Sequence, residues 1–145
     1  MAQQNPGYVQ RVDHTKMKGC YLLLIHLEKD TTLMTRSKSF ELSKGHYIYV
    51  GSGMKNLLAR VSRHLKSDKK LFWHVDYLLT VATVESVLLI PAHEECERKI
   101  AEMLEKTLES VHGFGASDSP LVSHLFKLPR REEFGHIVGM LLKSL

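Results

Sequence analysis

The sequence predicts a mixed α/β (α+β) protein with a small, mainly antiparallel central sheet flanked by helices. Short apolar or β-branched runs between brief polar turns occupy the first third of the chain. Segments with helical apolar periodicity dominate the remainder. The 145 residues, 43% hydrophobic and 25% charged, suffice for one domain with an ordinary core, so we expect a single domain over 1–145.

The first strands are predicted where apolar runs lie between turn residues. Residues 20–27 form a continuous apolar run that is typical of a buried strand. Residues 31–36 indicate a second strand that 39–42 extends after a break, and the aromatic run at 46–50 indicates another. Because the connections are short, an antiparallel meander is favoured. Residues 1–16 are predicted to be a flexible polar lead-in.

Helical signals take over in the rest of the chain. The predicted elements, in order, are a helix at 55–66, a helix at 71–79, a strand at 83–90, a long helix at 93–111, a loop at 113–120, a strand at 123–128 and an amphipathic segment at 132–145. The long helix is expected to stop at Gly113, where a glycine cap is favourable.

Composition bounds the location of the protein. No apolar run approaches the roughly 20 residues that a membrane helix needs, and residues 1–18 contain no apolar signal-peptide core. Cys20 and Cys96 form no CxxC unit and lie in apolar contexts, so we expect reduced core cysteines. These features predict a cytoplasmic protein without a membrane partner.

Charge is unevenly distributed along the chain. Residues 36–70 contain nine lysines and arginines but only two acids, Glu41 and Asp68, which gives a local net charge of +7. Residues 94–109 contain six acids and three basic residues, which gives a local net charge of −3. A polyanionic partner and a cation site are compatible with this pattern, although lysines that solubilise surface helices would produce it too.

Glu97 is the acid whose position on the predicted long helix is informative. At about 100° per residue, it lies about 60° from the centre of the apolar stripe, whereas the other acids lie more than roughly 100° away. A carboxylate at such a boundary requires a cationic partner. Geometry alone favours an Arg or Lys over a hard divalent ion, and both interpretations stay open.

A glycine turn leads from the strand at 46–50 into the basic helix. Arg60 and His64, four residues apart, share one flank of this helix, an arrangement that can hold phosphate oxygens. Tyr49 precedes the turn and faces the same side of its strand as Tyr47. For each of these residues alone, a structural role is the commoner one, and a phenol becomes a base only where a cation lowers its pKa. His74, at the start of the next helix, suits hydrogen bonding to water or phosphate, although a lone histidine is more often structural.

These residues resemble the GIY-YIG nuclease superfamily. Gly19-Cys20-Tyr21 stands where the first half-motif would be, and Tyr49-Val50-Gly51 where the second would be. Arg60 follows the second half-motif by about ten residues, as in the family. His74 matches a position that is polar in several relatives, and Glu97 matches the metal-binding glutamate. Helix geometry had singled out that glutamate independently.

Part of the chain resembles a narrower group within that superfamily, small stand-alone prokaryotic domains that are in some chains joined to an endonuclease III-like glycosylase. That group commonly carries two cysteines in its last loop, where this chain has Ser119 and Leu121. A thiol or metal role for the loop is therefore not implied here.

The resemblance implies a metal-dependent endonuclease that hydrolyses phosphodiester bonds in DNA, in repair, recombination or restriction-type processing, with RNA also open as a substrate. One Mg²⁺ or Mn²⁺ ion would bind Glu97. The catalytic residues implied are Tyr21, Tyr49, Arg60, His64 and His74, and the sequence leaves open which tyrosine is the base. The nucleic-acid contacts expected from the glycine turn and the basic stretch are Ser52, Lys55, Arg63, Lys66, Lys69 and Lys70.

Two other functions compete with this interpretation. One is a non-catalytic nucleic-acid-binding module that keeps the fold. The other is an adaptor that contacts a DNA-repair protein through the acidic helix or the segment at 134–145. The oligomeric state is not predicted.

Overall fold

The computed structural model describes residues 17–115 and 123–144, which form a five-stranded antiparallel sheet, a two-stranded hairpin and four helices. The elements in chain order are β1 (Gly19–Leu27), β2 (Thr31–Met34), β3 (Ser39–Leu42), β4 (Gly45–Gly53), α1 (Leu57–Leu65), α2 (His74–Leu78), β5 (Thr83–Pro91), α3 (Glu97–Glu105), β6 (Glu109–Ser110), β7 (Leu125–Leu128) and α4 (Glu133–Ser144). The predicted α+β class with a mainly antiparallel sheet is confirmed. The lead-in at 1–16 and the loop positions Ser119 and Leu121 lie outside the described residues.

The central sheet has the order β5–β1–β4–β7–β6, and all of its pairings are antiparallel. The expected meander is wrong, because β2 and β3 pair only with each other. Strand β1 pairs with β4, although the hairpin lies between them in the sequence. The glycine turn expected directly after residue 50 is also wrong, because residues 51–53 continue β4 and pair with residues 19–21 of β1. Strands β1 and β4 have nine residues each and pair along their whole length, whereas β2 and β3 have four. The long pair therefore offers far more ladder and apolar contact than a four-residue partner would.

The sheet separates two apolar layers, because side chains alternate between its faces. Tyr21, Tyr47 and Tyr49 define the tyrosine face, which α1, α2 and the β2–β3 hairpin cover. The opposite face packs against α3 and α4. Side chains at one end of the sheet can thus be contacted by elements of both layers.

The long helix predicted at 93–111 is wrong at both ends. Helix α3 starts at Glu97 and ends at Glu105, and the chain then runs along the sheet edge as β6. Val111 donates its backbone N–H to Leu125 O at 2.9 Å, so the edge of the sheet supplies hydrogen bonds that a longer helix would have supplied internally. Tertiary pairing overrides helical periodicity here.

The expectation of two reduced cysteines is also wrong. Cys20 on β1 and Cys96, the N-cap of α3, are joined by a disulfide between positions 76 residues apart. Both are buried, and the bond attaches the start of α3 to the sheet. None of the helices in the described parts of the chain is long and apolar enough to cross a membrane.

Candidate active site

A groove of about 610 Å³ opens at the end of the sheet where β4 leads into α1. The hairpin loop, β4, the segment at 72–77, the start of α3 and the residues around 115 and 124 all contribute to its walls. The lining residues are Thr35, Arg36, Ser37, Tyr49, Phe72, Trp73, His74, Tyr77, Glu95, Glu97, Arg98, Gly115 and His124. Three of the residues singled out from the sequence, Tyr49, His74 and Glu97, therefore meet in one cavity.

Gly51, the last residue of the second half-motif, makes room for the tyrosine of the first. Tyr21 on β1 lies directly opposite Gly51 on β4. A Cβ atom at Gly51 would overlap the ring and hydroxyl of Tyr21. The two short sequence motifs thus form one packed unit across the β1–β4 pair.

Tyr21 and His64 form a buried hydrogen-bonded pair behind the groove. The Tyr21 hydroxyl donates to Nε2 of His64 at 2.5 Å, and the two side chains are 1% and 3% exposed. Burial lowers the pKa of His64 to about 4, so the ring is neutral at pH 7 and its Nε2 can accept the hydrogen bond from the phenol. His64 was expected to help Arg60 hold phosphate oxygens, but it is buried against Tyr21 and does not line the groove.

Of the two half-motif tyrosines, Tyr49 and not Tyr21 lines the groove. It lines the cavity with 9% of its surface exposed, and its ring centroid lies 6.4 Å from that of Tyr21. Burial raises the pKa of both phenols above the ordinary value, and the charge of Arg60 acts in the opposite direction. Both phenols are therefore protonated at neutral pH, and further positive charge in the groove would be needed to change that.

The two arginines of α1 have different partners. Arg60 and Arg63 both lie over the ring of Trp73, at 4.5 and 4.4 Å from its centroid. Arg63 also donates to both carboxylate oxygens of Asp76, at 2.8 and 3.0 Å, and to Lys70 O. Arg63 was expected to contact nucleic acid, but its hydrogen bonds are committed to a buried acid. Arg60 makes no hydrogen bond to the described residues, and it is half-buried against Trp73, which lines the groove.

Glu97 leans into the protein, as its position on the sequence predicted. The five other acids between 94 and 109 are exposed, whereas the Glu97 side chain is only 25% exposed. Ser52 Oγ donates to Glu97 Oε2 at 3.0 Å, and His124 Nδ1 lies 3.1 Å from Glu97 Oε1. The Arg or Lys partner that geometry favoured is not found among the described residues. Ser52, expected to touch nucleic acid, holds the carboxylate instead.

His124 supplies an orphaned nitrogen at this position. It is 5% exposed, and its Nδ1 has no hydrogen-bond partner among the described residues despite its short distance to Glu97. A buried polar atom without a partner is costly, so its presence calls for an explanation. A ligand shared with Glu97 is one, because the two atoms lie only 3.1 Å apart.

His74 presents a second imidazole to the groove. Its Nδ1 accepts the backbone N–H of Gly115 at 2.9 Å, so the neutral ring carries its proton on Nε2. Burial, and secondarily the charge of Lys38, lowers its pKa. A neutral His74 can therefore donate one hydrogen bond to a ligand in the cavity that it lines.

The lysines of the basic stretch surround α1 at its two ends. Lys55, Lys66 and Lys70 are exposed and free to meet a polyanion. Lys69 is different, because its Nζ donates to His64 O at 2.7 Å and closes the C-terminal turn of α1. Three of the four predicted lysines therefore suit nucleic-acid contact.

Sequence patterns did not identify several residues of the groove. No sequence pattern singled out His124 or Trp73, both of which line the groove. Arg36 and Ser37, at the tip of the hairpin, add a wall that no periodicity indicates. A basic helix followed by an aromatic pair at 72–73 is the pattern from which the stacking of arginines on Trp73 could have been predicted.

Fold and site together define a small α+β domain. Its groove is lined by phenol, imidazole and carboxylate side chains and is bordered by cationic ones. The chain belongs to the family described as "Domain of unknown function DUF123", whose family model matches residues 20–145. No curated protein and no solved structure shows significant similarity to the chain.

Proposed function

We propose that this chain is a divalent-metal-dependent endonuclease that hydrolyses phosphodiester bonds in DNA, in repair, recombination or restriction-type processing in the cytoplasm. The observation that carries the proposal is the pairing of Glu97 Oε1 with the orphaned Nδ1 of His124, 3.1 Å apart, in the groove that Tyr49 lines. The resemblance of the two half-motifs to the GIY-YIG nucleases supports it.

The donor atoms fit a divalent ion. Ligand atoms bound at about 2.1 Å and at right angles to one another lie about 3.0 Å apart, close to the observed Glu97–His124 separation. An imidazole donor suits Mn²⁺ better than Mg²⁺, which prefers oxygen ligands. Glu97 and His124 would hold the ion. When bound, it would supply positive charge for the phosphoryl and leaving oxygens.

The positions of Tyr49 and Tyr21 give the two tyrosines different roles in hydrolysis. Tyr49 reaches the groove and orients the attacking water through its hydroxyl. Tyr21 is buried behind it with its hydroxyl hydrogen-bonded to His64, so the pair can exchange a proton with the groove only through Tyr49 or an intervening water. This assigns contact with water to Tyr49 and a positioning role to Tyr21.

Cationic and hydrogen-bonding groups bind the substrate. Arg60, stacked on Trp73 and free of hydrogen bonds to the described residues, neutralises charge on the scissile phosphate. His74 donates its Nε2 proton to a phosphate oxygen or to water. Phe72, 69% exposed beside Trp73, provides a face on which an unpaired base can stack.

A plasmid-nicking assay tests the proposal. The wild-type protein is expected to nick supercoiled DNA with Mn²⁺ or Mg²⁺ and not with EDTA. Glu97→Ala and Arg60→Ala are each expected to lower the rate by about 100-fold or more. Glu105→Ala, an exposed acid on the same helix, is the matched control and should leave the rate unchanged. Absence of metal-dependent cleavage on supercoiled, single-stranded, branched and RNA substrates would refute the enzyme.

The second candidate is a non-catalytic nucleic-acid-binding module, and the exposed Phe72 beside the arginine–Trp73 stack favours it. Such a module would bind single strands in a salt-dependent way and cleave nothing. Fluorescence anisotropy with labelled oligonucleotides separates the two, because loss of affinity in Phe72→Ala without any cleavage by wild type would select the module.

A further inference from the structure

A second polar cluster lies at the opposite end of the sheet from the groove. It consists of His26 on β1, His46 on β4 and Glu85 on β5, each of which offers one donor atom within 4.8 Å of the other two. Ser52, which contacts Glu97, pairs with Cys20 on β1. His26 is six residues further along that strand, so at about 3.3 Å per residue the two sites are separated by about 20 Å.

Strand register brings the two histidines together. His26 and His46 are direct partners in the β1–β4 ladder, and their rings stack with centroids 4.4 Å apart and an interplanar angle of 12°. Cross-strand partners share a face, so both imidazoles project from the same side of the sheet. They are half-buried there.

A bulge adds the carboxylate. The β1–β5 register shifts between Leu24, which pairs with Ser86, and Ile25, which pairs with Val84. Glu85 is the residue left over by this shift, and its side chain reaches His46. Bulges redirect single side chains in this way and are frequent beside functional sites.

Hydrogen bonds hold the carboxylate without saturating the cluster. Glu85 Oε1 lies 2.9 Å from His46 Nε2 and accepts from Arg131 Nε at 3.1 Å. Among the described residues both of these bonds use Oε1, and neither ring nitrogen of His26 has a partner. Donor atoms of His26 and Glu85 thus remain for a ligand.

We propose that His26, His46 and Glu85 bind one divalent transition-metal ion of the class of Zn²⁺. Two imidazoles and one carboxylate are the donors that such ions take, with a fourth position left for water. Four ligands at about 2.0 Å around a tetrahedral ion lie about 3.3 Å apart, so small side-chain rotations within the present 4.8 Å suffice. Arg131 would hydrogen-bond the ligating carboxylate, a common arrangement around metal ligands. The hard ion proposed for Glu97 would occupy a different place.

Zinc titration of the full disulfide-bonded chain tests this site. Isothermal calorimetry with ZnCl₂ is carried out on wild type and on Glu97→Gln, in which the groove no longer competes. One equivalent of Zn²⁺ is expected to bind to this cluster in both proteins, and His26→Gln or Glu85→Gln in either background should weaken the binding of that equivalent at least tenfold. Co²⁺ in the same site is expected to give the strong visible absorption of a tetrahedral complex.

The matched control is His136→Gln. His136 pairs with Glu133 at 3.3 Å on the exposed surface of α4, so it is a histidine–glutamate contact with only two donors. It should leave zinc affinity unchanged. Wild-type affinity retained in both His26→Gln and Glu85→Gln would assign the cluster to sheet packing and overturn the proposal.

A readout on the unmutated protein guards against variants that do not fold. In ¹⁵N-labelled wild type, one equivalent of Zn²⁺ should shift the ring signals of His26 and His46 while that of His136 stays in place. Shifts confined to other histidines would reject the site. Because this outcome does not depend on DNA cleavage, it is independent of the proposed nuclease function.

Discussion

The hydroxyl of Tyr21 donates a 2.5 Å hydrogen bond to Nε2 of His64, and the other nitrogen of that imidazole has no hydrogen-bond partner among the described residues. The bond joins the first half-motif to the basic helix and buries an imidazole that must stay neutral. Its loss should therefore affect the stability of the fold as well as the proposed catalysis.

Stability should fall when His64 becomes protonated. Burial lowers its pKa from the ordinary value of about 6.5 to about 4, so the unfolded chain binds a proton more readily than the folded one. The contribution is complete above pH 6.5 and is lost as the pH falls towards 4, on the order of 3 kcal/mol over the whole window. Urea unfolding of wild type and His64→Gln at pH 7 and 4.5 measures it. The exposed His136→Gln should behave as wild type, and an equal loss in His64→Gln would contradict the assignment.

Arg63 and Asp76 should form a structural ion pair. Asp76 is fully buried and accepts hydrogen bonds from Arg63 and from the backbone N–H groups of Phe72 and Trp73. Removing Arg63 leaves that carboxylate buried without its cation, which costs about 3–5 kcal/mol. Arg63→Ala is thus expected to unfold at much lower denaturant than Arg60→Ala, whose side chain makes no such bond.

The same carboxylate predicts acid sensitivity in a lower pH range. Burial raises the pKa of Asp76, but the hydrogen bonds from Arg63, Phe72 and Trp73 outweigh burial and hold it below the ordinary value. Its contribution is therefore present above about pH 4 and is lost as the pH falls further. Asp76→Asn should flatten the unfolding free energy below pH 4, and a slope equal to that of wild type there would count against the pairing.

Metal preference should depend on His124. The imidazole next to Glu97 favours Mn²⁺ over Mg²⁺, so wild type is expected to bind Mn²⁺ more tightly. His124→Asn should lower Mn²⁺ affinity about 10-fold or more and leave the weaker Mg²⁺ affinity nearly unchanged. Electron paramagnetic resonance of free Mn²⁺ measures binding directly, without cleavage. A variant that loses affinity for both ions equally would indicate that His124 only supports Glu97.

The disulfide should couple stability to metal binding. Cys96 is the residue before Glu97, and its bond to Cys20 holds the start of α3 on the sheet. Opening a loop of this size removes about 4 kcal/mol in the chain-entropy description. Cys20→Ser and Cys96→Ser are both expected to melt earlier and to bind Mn²⁺ more weakly than wild type, and reduced wild type should match them. Unchanged melting on reduction would show that the bond is not formed in solution.

The exposed lysines should determine the salt dependence of DNA binding. Each of Lys55, Lys66 and Lys70 that neutralises a phosphate contributes about 0.9 to the slope of log affinity against log salt. The triple alanine variant is expected to lower that slope by about 2.7, measured by anisotropy at several salt concentrations. Lys143→Ala, an exposed lysine on α4, is the control. A slope unaffected by the triple variant would place the nucleic acid elsewhere.

Local sequence was most informative where the physics is local. The strand at 20–27 and the basic helix at 55–66 were predicted within a few residues, because continuous apolar runs and helical periodicity depend only on near neighbours. Periodicity failed at 106–111, where the edge of β7 offered hydrogen bonds to a segment that reads as helix. Long-range strand pairing determined the conformation of that segment. It also determined that β1 pairs with β4 and not with the hairpin strand that follows it in the sequence.

What the sequence determined by itself is the α+β class and the inward lean of Glu97. Each follows from the spacing of side chains along one element. Only the tertiary structure decided that His64 lies behind Tyr21, that Arg63 belongs to Asp76, that Cys20 bonds Cys96 and that His124 faces Glu97. These contacts join elements distant in sequence, and whether a polar group there is satisfied or left without a partner depends on the packing that surrounds it.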